Sequence, residues 1–334
     1  MAQRPRRSIG RLTLAFCLTL SLFLAQAKSK GKGKDPDAIG CRDVGKGLNF
    51  YSLEKEVALG KQMAQEVERD ARIVYDPVIA EYVSRLGQNL ARSSDAKVPF
   101  TIKILDTSEV NAFALPGGFL FVNSGLIAIA GNEAELAGVM AHEIAHVAAR
   151  HGTRQASRSD LAHSATLPFI FAGGWTGFAV YQAASAAIPI AFLTFSRGFE
   201  AEADMLGLQY MYKAGYDPTA FVDFFEKIET LEKEAPGTLA KVFSTNPMTE
   251  DRIRAAQKNI QNLESRHEYL LNTSEFIDIR TRLVMLQRER DLDAGPNGRP
   301  TLRRTATGET ADSDSDGQAT KTDTGDRTTL KRRN

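Results

Sequence analysis

Residues 132–152 read NEAELAGVMAHEIAHVAARHG and contain three of the five histidines of the chain. Asn132 is a favourable N-cap residue, and Glu135 stands where a reciprocal capping acid is expected. Gly152 stands where a left-handed C-cap glycine is expected. Between these ends, apolar residues recur at helical spacing: Leu136, Val139, Met140, Ile144 and Val147. The stretch therefore predicts one amphipathic helix with a signal at each end.

The centre of this helix is the pattern HExxH, formed by His142, Glu143 and His146. Residues four apart lie one turn apart on a helix, so both imidazoles point the same way and can share one metal ion. Glu143 lies beside the pair, close enough to act on a water at that metal. The pattern is typical of zinc peptidases. The alternative is a chance match whose histidines form an ordinary surface pair, and the low histidine content of the chain argues against it.

Length and composition limit the remaining possibilities. The chain has 334 residues, of which 43% are hydrophobic and 25% charged, so it can bury a core in one or two domains. Lys and Arg number 42 and Asp and Glu 41, which leaves a net charge of +1. Basic and aromatic residues do not interleave anywhere in the chain. We therefore expect no nucleic-acid partner.

Residues 1–27 have the pattern of a secretory signal peptide. Four arginines precede an apolar run over residues 12–24, and Ala25-Gln26-Ala27 is a small-residue cleavage site. The apolar run is too short for a comfortable membrane span. We therefore expect an exported, periplasmic protein, with residues 28–50 as a linker that begins with a flexible basic spacer.

The two cysteines predict no internal disulfide. Cys17 lies in the apolar run of the signal and would be removed with it, which leaves Cys41 alone. Lipidation of Cys17 is disfavoured, because Phe16 precedes it where a lipidation signal has a small residue.

The rest of the chain predicts a mainly helical α+β fold. Alternation and turn residues indicate strands over residues 99–106, 111–115 and 119–122. Capping and periodicity indicate further helices over residues 52–70, 76–91, 197–213, 217–234, 249–263 and 274–288. We expect one domain over residues 51–288. Residues 289–334 are polar and nearly free of large apolar side chains, so they form a predicted disordered tail.

A second unusual feature is the apolar stretch over residues 161–195, which contains no charged residue. Pro168, Pro189 and several glycines interrupt it, so each apolar piece is shorter than a standard span. We expect two short apolar helices that cover the active site or touch a membrane surface. A transmembrane hairpin is the alternative.

A catalytic zinc needs a third protein ligand. The metzincin pattern HExxHxxGxxH is excluded, because Ala149 and Gly152 occupy the positions of its Gly and last His. His151 is one position away from that ligand position and is expected to be a surface or capping residue. His163 and His267 have no ligand spacing to other residues, and we expect them to be structural or exposed.

The acidic cluster that follows the apolar stretch is the better source of the ligand. Glu200 and Asp204 are four apart and share one face of a helix, whereas Glu202 points elsewhere. A glutamate there could bind the metal, with Asp204 accepting a hydrogen bond from a ligand histidine. The spacing alone does not choose between Glu200 and Glu202, and a solvated acidic face is the alternative.

HEIAH followed by SRGFEAEAD (residues 196–204) resembles the HtpX/BepA/Oma-like gluzincins, metallopeptidase family 48. The resemblance covers roughly residues 51–263. It implies a zincin-like domain with one zinc ion, bound by His142, His146 and Glu200. It also implies that Asp204 has a catalytic or supporting role.

The resemblance extends to three further positions. NAFALPGGFLFVNSGL (residues 111–126) resembles the edge strand and turn of the family, which implies that substrate pairs with Asn111, Ala112, Phe113 and Ala114. Arg252 matches a family arginine and is a candidate for stabilising the oxyanion; an ordinary helix-surface arginine is the alternative. Asn246 stands where exported members often have a histidine, so a self-inhibitory histidine switch is not expected.

The leading hypothesis is a zinc endopeptidase that hydrolyses unfolded or misfolded envelope proteins. Glu143 would take the proton of the attacking water and pass it to the leaving amine. The alternative is a chaperone-like envelope assembly factor in which zinc is structural. The glutamate of the HExxH argues against this alternative, because a structural zinc has no use for Glu143. Residues 161–195 would give either protein a peripheral membrane contact.

Overall fold

The structure is a computed structural model that describes residues 35–172, 195–234 and 250–294. The chain divides into two compact units, Met1–Arg288 and Glu289–Asn334. Of the second unit, the structure describes only the end of a helix. The predicted signal peptide, most of the predicted tail and Asn246 lie outside the described residues.

The described residues form helices α1 to α9 and strands β1 to β3. The helices are α1 (Leu53–Asp70), α2 (Pro77–Arg92), α3 (Ser124–Ile129), α4 (Glu133–Ala148), α5 (His151–Ala172), α6 (Arg197–Ala214), α7 (Thr219–Glu234), α8 (Glu250–Gln261) and α9 (Ser274–Ala294). The strands are β1 (Thr101–Leu105), β2 (Ala112–Leu115) and β3 (Phe119–Asn123), and a short 3-10 helix covers Pro36–Ala38. The predicted mainly helical α+β fold is confirmed.

Local capping explains why several helices begin and end where the sequence predicts. The Ser52 side chain accepts a hydrogen bond from the Lys55 N–H at the start of α1. Asp76 caps α2, with Pro77 at the first helical position, where no N–H is needed. Gly215 ends α6 in the left-handed conformation, with φ 93°.

The three strands form one small mixed sheet in the order β1-β3-β2. β1 is parallel to β3, and β2 is antiparallel to it with Ala112 opposite Val122. A tight turn at Gly117 and Gly118, with φ 79° and 96°, joins β2 to β3. Among the described residues no strand pairs with the other side of β2, which is therefore an edge strand.

Helix α4 lies at the centre of the domain and is more buried than an amphipathic pattern predicts. Every residue of α4 except Glu143 is buried. The helix packs against α2, α6, α7 and β2. Gly207 of α6 allows the closest approach, because a Cβ at this position would lie 3.1 Å from the His142 backbone nitrogen. The HExxH pattern is therefore part of the hydrophobic core.

The prediction that the HExxH helix continues to Gly152 is wrong. α4 ends at Ala148, and Arg150 adopts the left-handed conformation with φ 56° that was expected of Gly152. A non-glycine residue there costs about 1–3 kcal/mol and needs support from its surroundings. The Arg150 guanidinium donates to Glu56 Oε2 and to the Tyr51 carbonyl, both at 2.7 Å. These contacts hold the turn, and α5 begins at His151.

Residues 35–50 pack onto the domain, although they belong to the range predicted as a linker. Val44 lies in the main hydrophobic core. The Arg42 guanidinium pairs with Asp95 at 2.8 Å, and both side chains are almost completely buried. Asp95 also accepts hydrogen bonds from the Gly40 N–H and the Tyr210 hydroxyl. The described part of this range is thus anchored to the interior of the domain.

The apolar stretch over residues 161–195 is described only at its two ends. Residues 161–172 belong to the end of α5, and residues 173–194, which include most of the predicted lid or membrane-contact segment, lie outside the described residues. Within the part of the chain that the structure describes, no helix is both long enough and apolar enough to span a membrane.

Candidate metal centre

Three side chains from two helices converge on one point. His142 and His146 come from α4, and Glu200 comes from the first turn of α6. One ligand atom of each lies within 4.8 Å of the others, and all three residues are buried. The two histidine Nε2 atoms are 3.0 Å apart, and they lie 3.5 and 3.6 Å from the Glu200 carboxylate oxygens.

The chemistry of this cluster fits a metal ion. Glu200 Oε1 is buried and accepts no hydrogen bond within the described residues. A buried carboxylate oxygen without a partner is costly unless a cation neutralises it. With neutral histidines, as metal binding requires, the carboxylates of Glu200 and Asp204 together carry more charge than the Arg252 guanidinium that contacts both, so the cluster favours a cation. Two imidazoles and a carboxylate are a ligand set that suits zinc.

The structure brings Glu200, and not Glu202, to the histidines. The two residues are 200° apart around α6 at about 100° per residue, so they face opposite sides. Glu202 instead pairs with His151 at 3.1 Å and with Arg154 at 3.2 Å. The choice that the spacing left open is thus made by the packing of α6 against α4.

Asp204 and Arg252 surround the ligands. Asp204 Oδ1 lies 3.1 Å from His142 Nδ1, the ring nitrogen that faces away from the cluster. The Arg252 guanidinium donates to both Asp204 oxygens at 2.8 Å and lies 3.0 Å from Glu200 Oε2. Its side chain is only 12% exposed. Arg252 is therefore not the exposed helix-surface arginine that the sequence left open.

Burial and neighbouring charged groups together shift the pKa values of the site. Burial alone would lower the pKa of His142, but its hydrogen bonds to Asp204 and Glu200 raise it to about 10. Burial, together with the charge of His142, lowers the pKa of His146. Burial would raise the pKa of Asp204, but hydrogen bonds from Arg252 and His142 keep it below its ordinary value. The raised pKa of His142 indicates a site that favours positive charge.

Glu143 follows His142 on α4 and links the cluster to the sheet. It is the one residue of α4 that is not buried, and burial of its carboxyl group still raises its pKa to about 7. Glu143 Oε2 accepts a hydrogen bond of 3.0 Å from the Ala114 N–H. The edge strand β2 is thus joined directly to the acid beside the ligand histidines.

The backbone N–H and C=O groups of β2 point alternately toward β3 and toward the opposite edge of the strand. The Asn123 N–H donates to the Asn111 carbonyl at 2.8 Å, so Asn111 and, two residues on, Phe113 direct their polar groups to β3. Ala112 and Ala114 direct theirs to the unpaired edge. Of the four residues expected to pair with substrate, these two have backbone groups in the required direction.

His151 is not the surface or capping residue that was predicted. It is fully buried, and its Nδ1 lies 3.0 Å from Nδ1 of His146. A continuous helix would place residues five apart on different faces, and the break at Arg150 instead turns His151 toward His146. The sequence carries no signal for this contact. His267 is exposed, as expected, and the side chain of His163 lies outside the described residues.

The sequence as a whole matches a known family over this same region. A model of peptidase family M48 matches residues 77–260, more than half of the chain, and the match includes every residue of the cluster. The chain belongs to peptidase family M48. The predicted resemblance to metallopeptidase family 48 is confirmed. Membership of this family also supports the predicted enzyme class, a metalloendopeptidase.

Several relatives support the same assignment. A protein of Vibrio cholerae is 34% identical over 226 residues, which cover 65% of this chain and 46% of that protein. The beta-barrel assembly-enhancing protease of Escherichia coli is 30% identical over 216 residues, which cover 62% of this chain and 44% of that protein. The mitochondrial metalloendopeptidase OMA1 of Schizosaccharomyces pombe is 30% identical over 232 residues, 66% of this chain and 65% of that protein. The M48 chain thus spans less than half of these bacterial relatives.

Proposed function

We propose that the protein is a zinc-dependent endopeptidase that hydrolyses unfolded or misfolded envelope proteins. The observation that carries the proposal is the convergence of His142, His146 and Glu200 in the core, with Glu143 next to His142 and bonded to the edge strand. A structural zinc needs no carboxylate at such a position. This arrangement argues against the alternative of a chaperone-like assembly factor in which zinc is only structural.

The reaction divides between the metal and the side chains of the chain. A zinc ion held by the three ligands supplies Lewis acidity, which lowers the pKa of water and polarises a carbonyl group. Glu143 accepts the proton of the attacking water and passes it to the leaving amine nitrogen. Asp204 orients the His142 ring through Nδ1.

Arg252 has two proposed roles in this reaction. Its guanidinium is a candidate for stabilising the oxyanion, because its positive charge lies at the cluster. In the structure the Arg252 guanidinium donates to both oxygens of Asp204 and lies 3.0 Å from Glu200 Oε2. Its direct effect is therefore to hold these two carboxylates of α6 in place. We assign it the oxyanion role together with this positioning.

Substrate binding is proposed at the edge of β2 that faces away from β3. A polypeptide that pairs with Ala112 and with the Ala114 carbonyl extends the sheet by one strand and passes Glu143, which accepts a hydrogen bond from the Ala114 N–H. Pairing of this kind reads the backbone of the substrate more than its side chains. It therefore suits extended, unfolded chains of many sequences.

An exported, periplasmic location is supported by the signal-peptide pattern of residues 1–27. The name of the Escherichia coli relative, a beta-barrel assembly-enhancing protease, supports substrates of the envelope. We also propose a peripheral membrane contact through residues 161–195, on the basis of their apolar sequence alone.

The test compares zinc content and casein cleavage for the wild type, Glu143→Gln and Glu200→Gln. We expect Glu143→Gln to keep the zinc and lose activity by roughly 100- to 10,000-fold, because only the proton acceptor is removed. Glu200→Gln should lose zinc and activity together. Glu226→Gln is the matched control, because Glu226 is exposed on α7. A Glu143→Gln protein that cleaves casein as fast as the wild type would refute the proposal.

A further inference from the structure

His151 is a fully buried histidine that the proposed reaction does not use. It is the first residue of α5, and the left-handed turn at Arg150 brings it against the last turn of α4. Its Nδ1 lies 3.0 Å from His146 Nδ1, and its Nε2 lies 3.1 Å from Glu202 Oε2. The side chains of His146, His151 and Glu202 thus form a line of contacts that leads away from the metal cluster.

The positions of the protons along this line follow from the ligand role of His146. Nε2 of His146 faces the cluster and must be unprotonated to bind a metal, so its proton lies on Nδ1. Nδ1 of His151 must then be unprotonated and accept a hydrogen bond from the His146 Nδ1–H. His151 consequently carries its own proton on Nε2, where the Glu202 carboxylate accepts it. Each member therefore determines the tautomer of the next.

Glu202, which is farthest from the metal cluster, is held in place by Arg154. Arg154 donates to Glu202 Oε2 at 3.2 Å and to the Ala149 carbonyl at 3.0 Å, which ties Glu202 to the end of α4. The Phe199 ring stacks on His151, with centroids 4.4 Å apart and planes 22° apart. The ring orientation of His151 and the acceptor for its Nε2 proton are thus provided by groups outside the metal cluster.

We propose that His151, oriented by Glu202, is a positioning residue that holds His146 in the tautomer and ring orientation needed to bind the metal. The proposal rests on the metal centre of the proposed function but not on the reaction catalysed there. Partners that accept the free N–H of a ligand histidine commonly change metal affinity about 10- to 100-fold when they are removed. Asp204 Oδ1 lies at a similar distance, 3.1 Å, from Nδ1 of the other histidine, His142.

The test measures zinc affinity by competition with a chromophoric chelator, which requires no substrate. His151→Phe keeps a planar ring against Phe199 but offers no acceptor, and we expect zinc affinity to fall about 10- to 100-fold. His151→Gln offers an amide oxygen to His146 and an amide N–H to Glu202, so it should restore most of the affinity. His267→Phe is the control, because His267 is exposed, and it should bind zinc like the wild type.

A double-mutant cycle tests whether Glu202 acts through His151. Glu202→Ala alone should weaken zinc binding less than His151→Phe, because the imidazole acceptor remains. In the double variant, Glu202→Ala should add little to the loss caused by His151→Phe, since the residue through which it acts is gone. Full additivity of the two losses would overturn the role assigned to Glu202.

The measurements distinguish a failure of this proposal from a folding defect and from a failure of the proposed function. Circular dichroism of the zinc-free proteins shows which variants fold. A folded His151→Phe protein that binds zinc as tightly as the wild type would overturn the proposal. If His151→Phe does not fold, an unchanged zinc affinity of Glu202→Ala would overturn it. If instead zinc affinity falls as expected but the wild type cleaves no polypeptide, the proposed function fails while the role of His151 stands.

Discussion

Replacing Gly207 with alanine tests whether close contact between α6 and α4 builds the metal centre. A Cβ at Gly207 would lie 3.1 Å from both the backbone nitrogen and the Cα of His142, and 3.3 Å from the Ala141 carbonyl carbon. Carbon atoms pack best at about 3.5–4.0 Å, so the helices must separate by about 0.4–0.9 Å. The atoms in the way are backbone atoms of a buried helix, which cannot rotate aside.

The expected free-energy change has two opposing parts. Alanine favours a helix over glycine by about 0.5–1 kcal/mol. Overpacking of a core contact costs about 1–3 kcal/mol. Gly198 provides a matched control on the same helix, because a Cβ there meets no atom within 4 Å. We therefore expect Gly207→Ala to be less stable than Gly198→Ala by about 1–3 kcal/mol.

The same displacement should weaken metal binding. Gly207 lies about two turns after Glu200 on α6, so a shift of this helix moves the carboxylate away from both ligand histidines. Thermal unfolding of the zinc-free variants measures the first effect, at about 2–4 °C per kcal/mol for a domain of this size. Chelator competition measures the second. A Gly207→Ala protein that melts at or above Gly198→Ala and binds zinc like the wild type would refute the reasoning.

Two further predictions concern ion pairs away from the metal. Asp95→Ala removes the partner of the buried Arg42 and of the Tyr210 hydroxyl. The free energy of unfolding, measured in urea, should fall by about 3–5 kcal/mol. A fall of less than about 1 kcal/mol would show that this pair does not anchor residues 35–50. Hydrogen bonding to Arg282 lowers the pKa of Asp76, so the Asp76 charge stabilises the fold above the unfolded pKa of about 4, and this contribution is lost as the pH falls through the lower folded value. Asp76→Asn keeps a capping side chain and should be less stable than the wild type at pH 7, by an amount that shrinks as the pH falls below about 4. A difference that does not shrink in acid would contradict the assignment.

Features that depend on short stretches of sequence were predicted well. The starts of α1 and α2 lie where the sequence places them, because the caps at Ser52 and Asp76 are contacts within four residues of their own helices. The buried face of α7, formed by Phe221, Phe224, Phe225 and Ile228, likewise follows a helical spacing that is present in the sequence itself. The short helix α3 was missed because it has only 6 residues, and Asn123 at its N-cap position makes no side-chain hydrogen bond to it. The start of α5 was missed because nothing in the sequence marks Arg150 as a left-handed residue.

The convergence of His142 and His146 was determined by the sequence alone, because residues four apart on a helix face the same side whatever surrounds them. The choice of Glu200 over Glu202 depended on which face of α6 meets α4, and the close approach at Gly207 decides that face. The contact of His151 depended on a left-handed residue at Arg150, which is stabilised by Glu56 from the distant helix α1. Side chains brought together by packing between separate helices leave no periodic trace in the sequence, and only the tertiary structure reveals them.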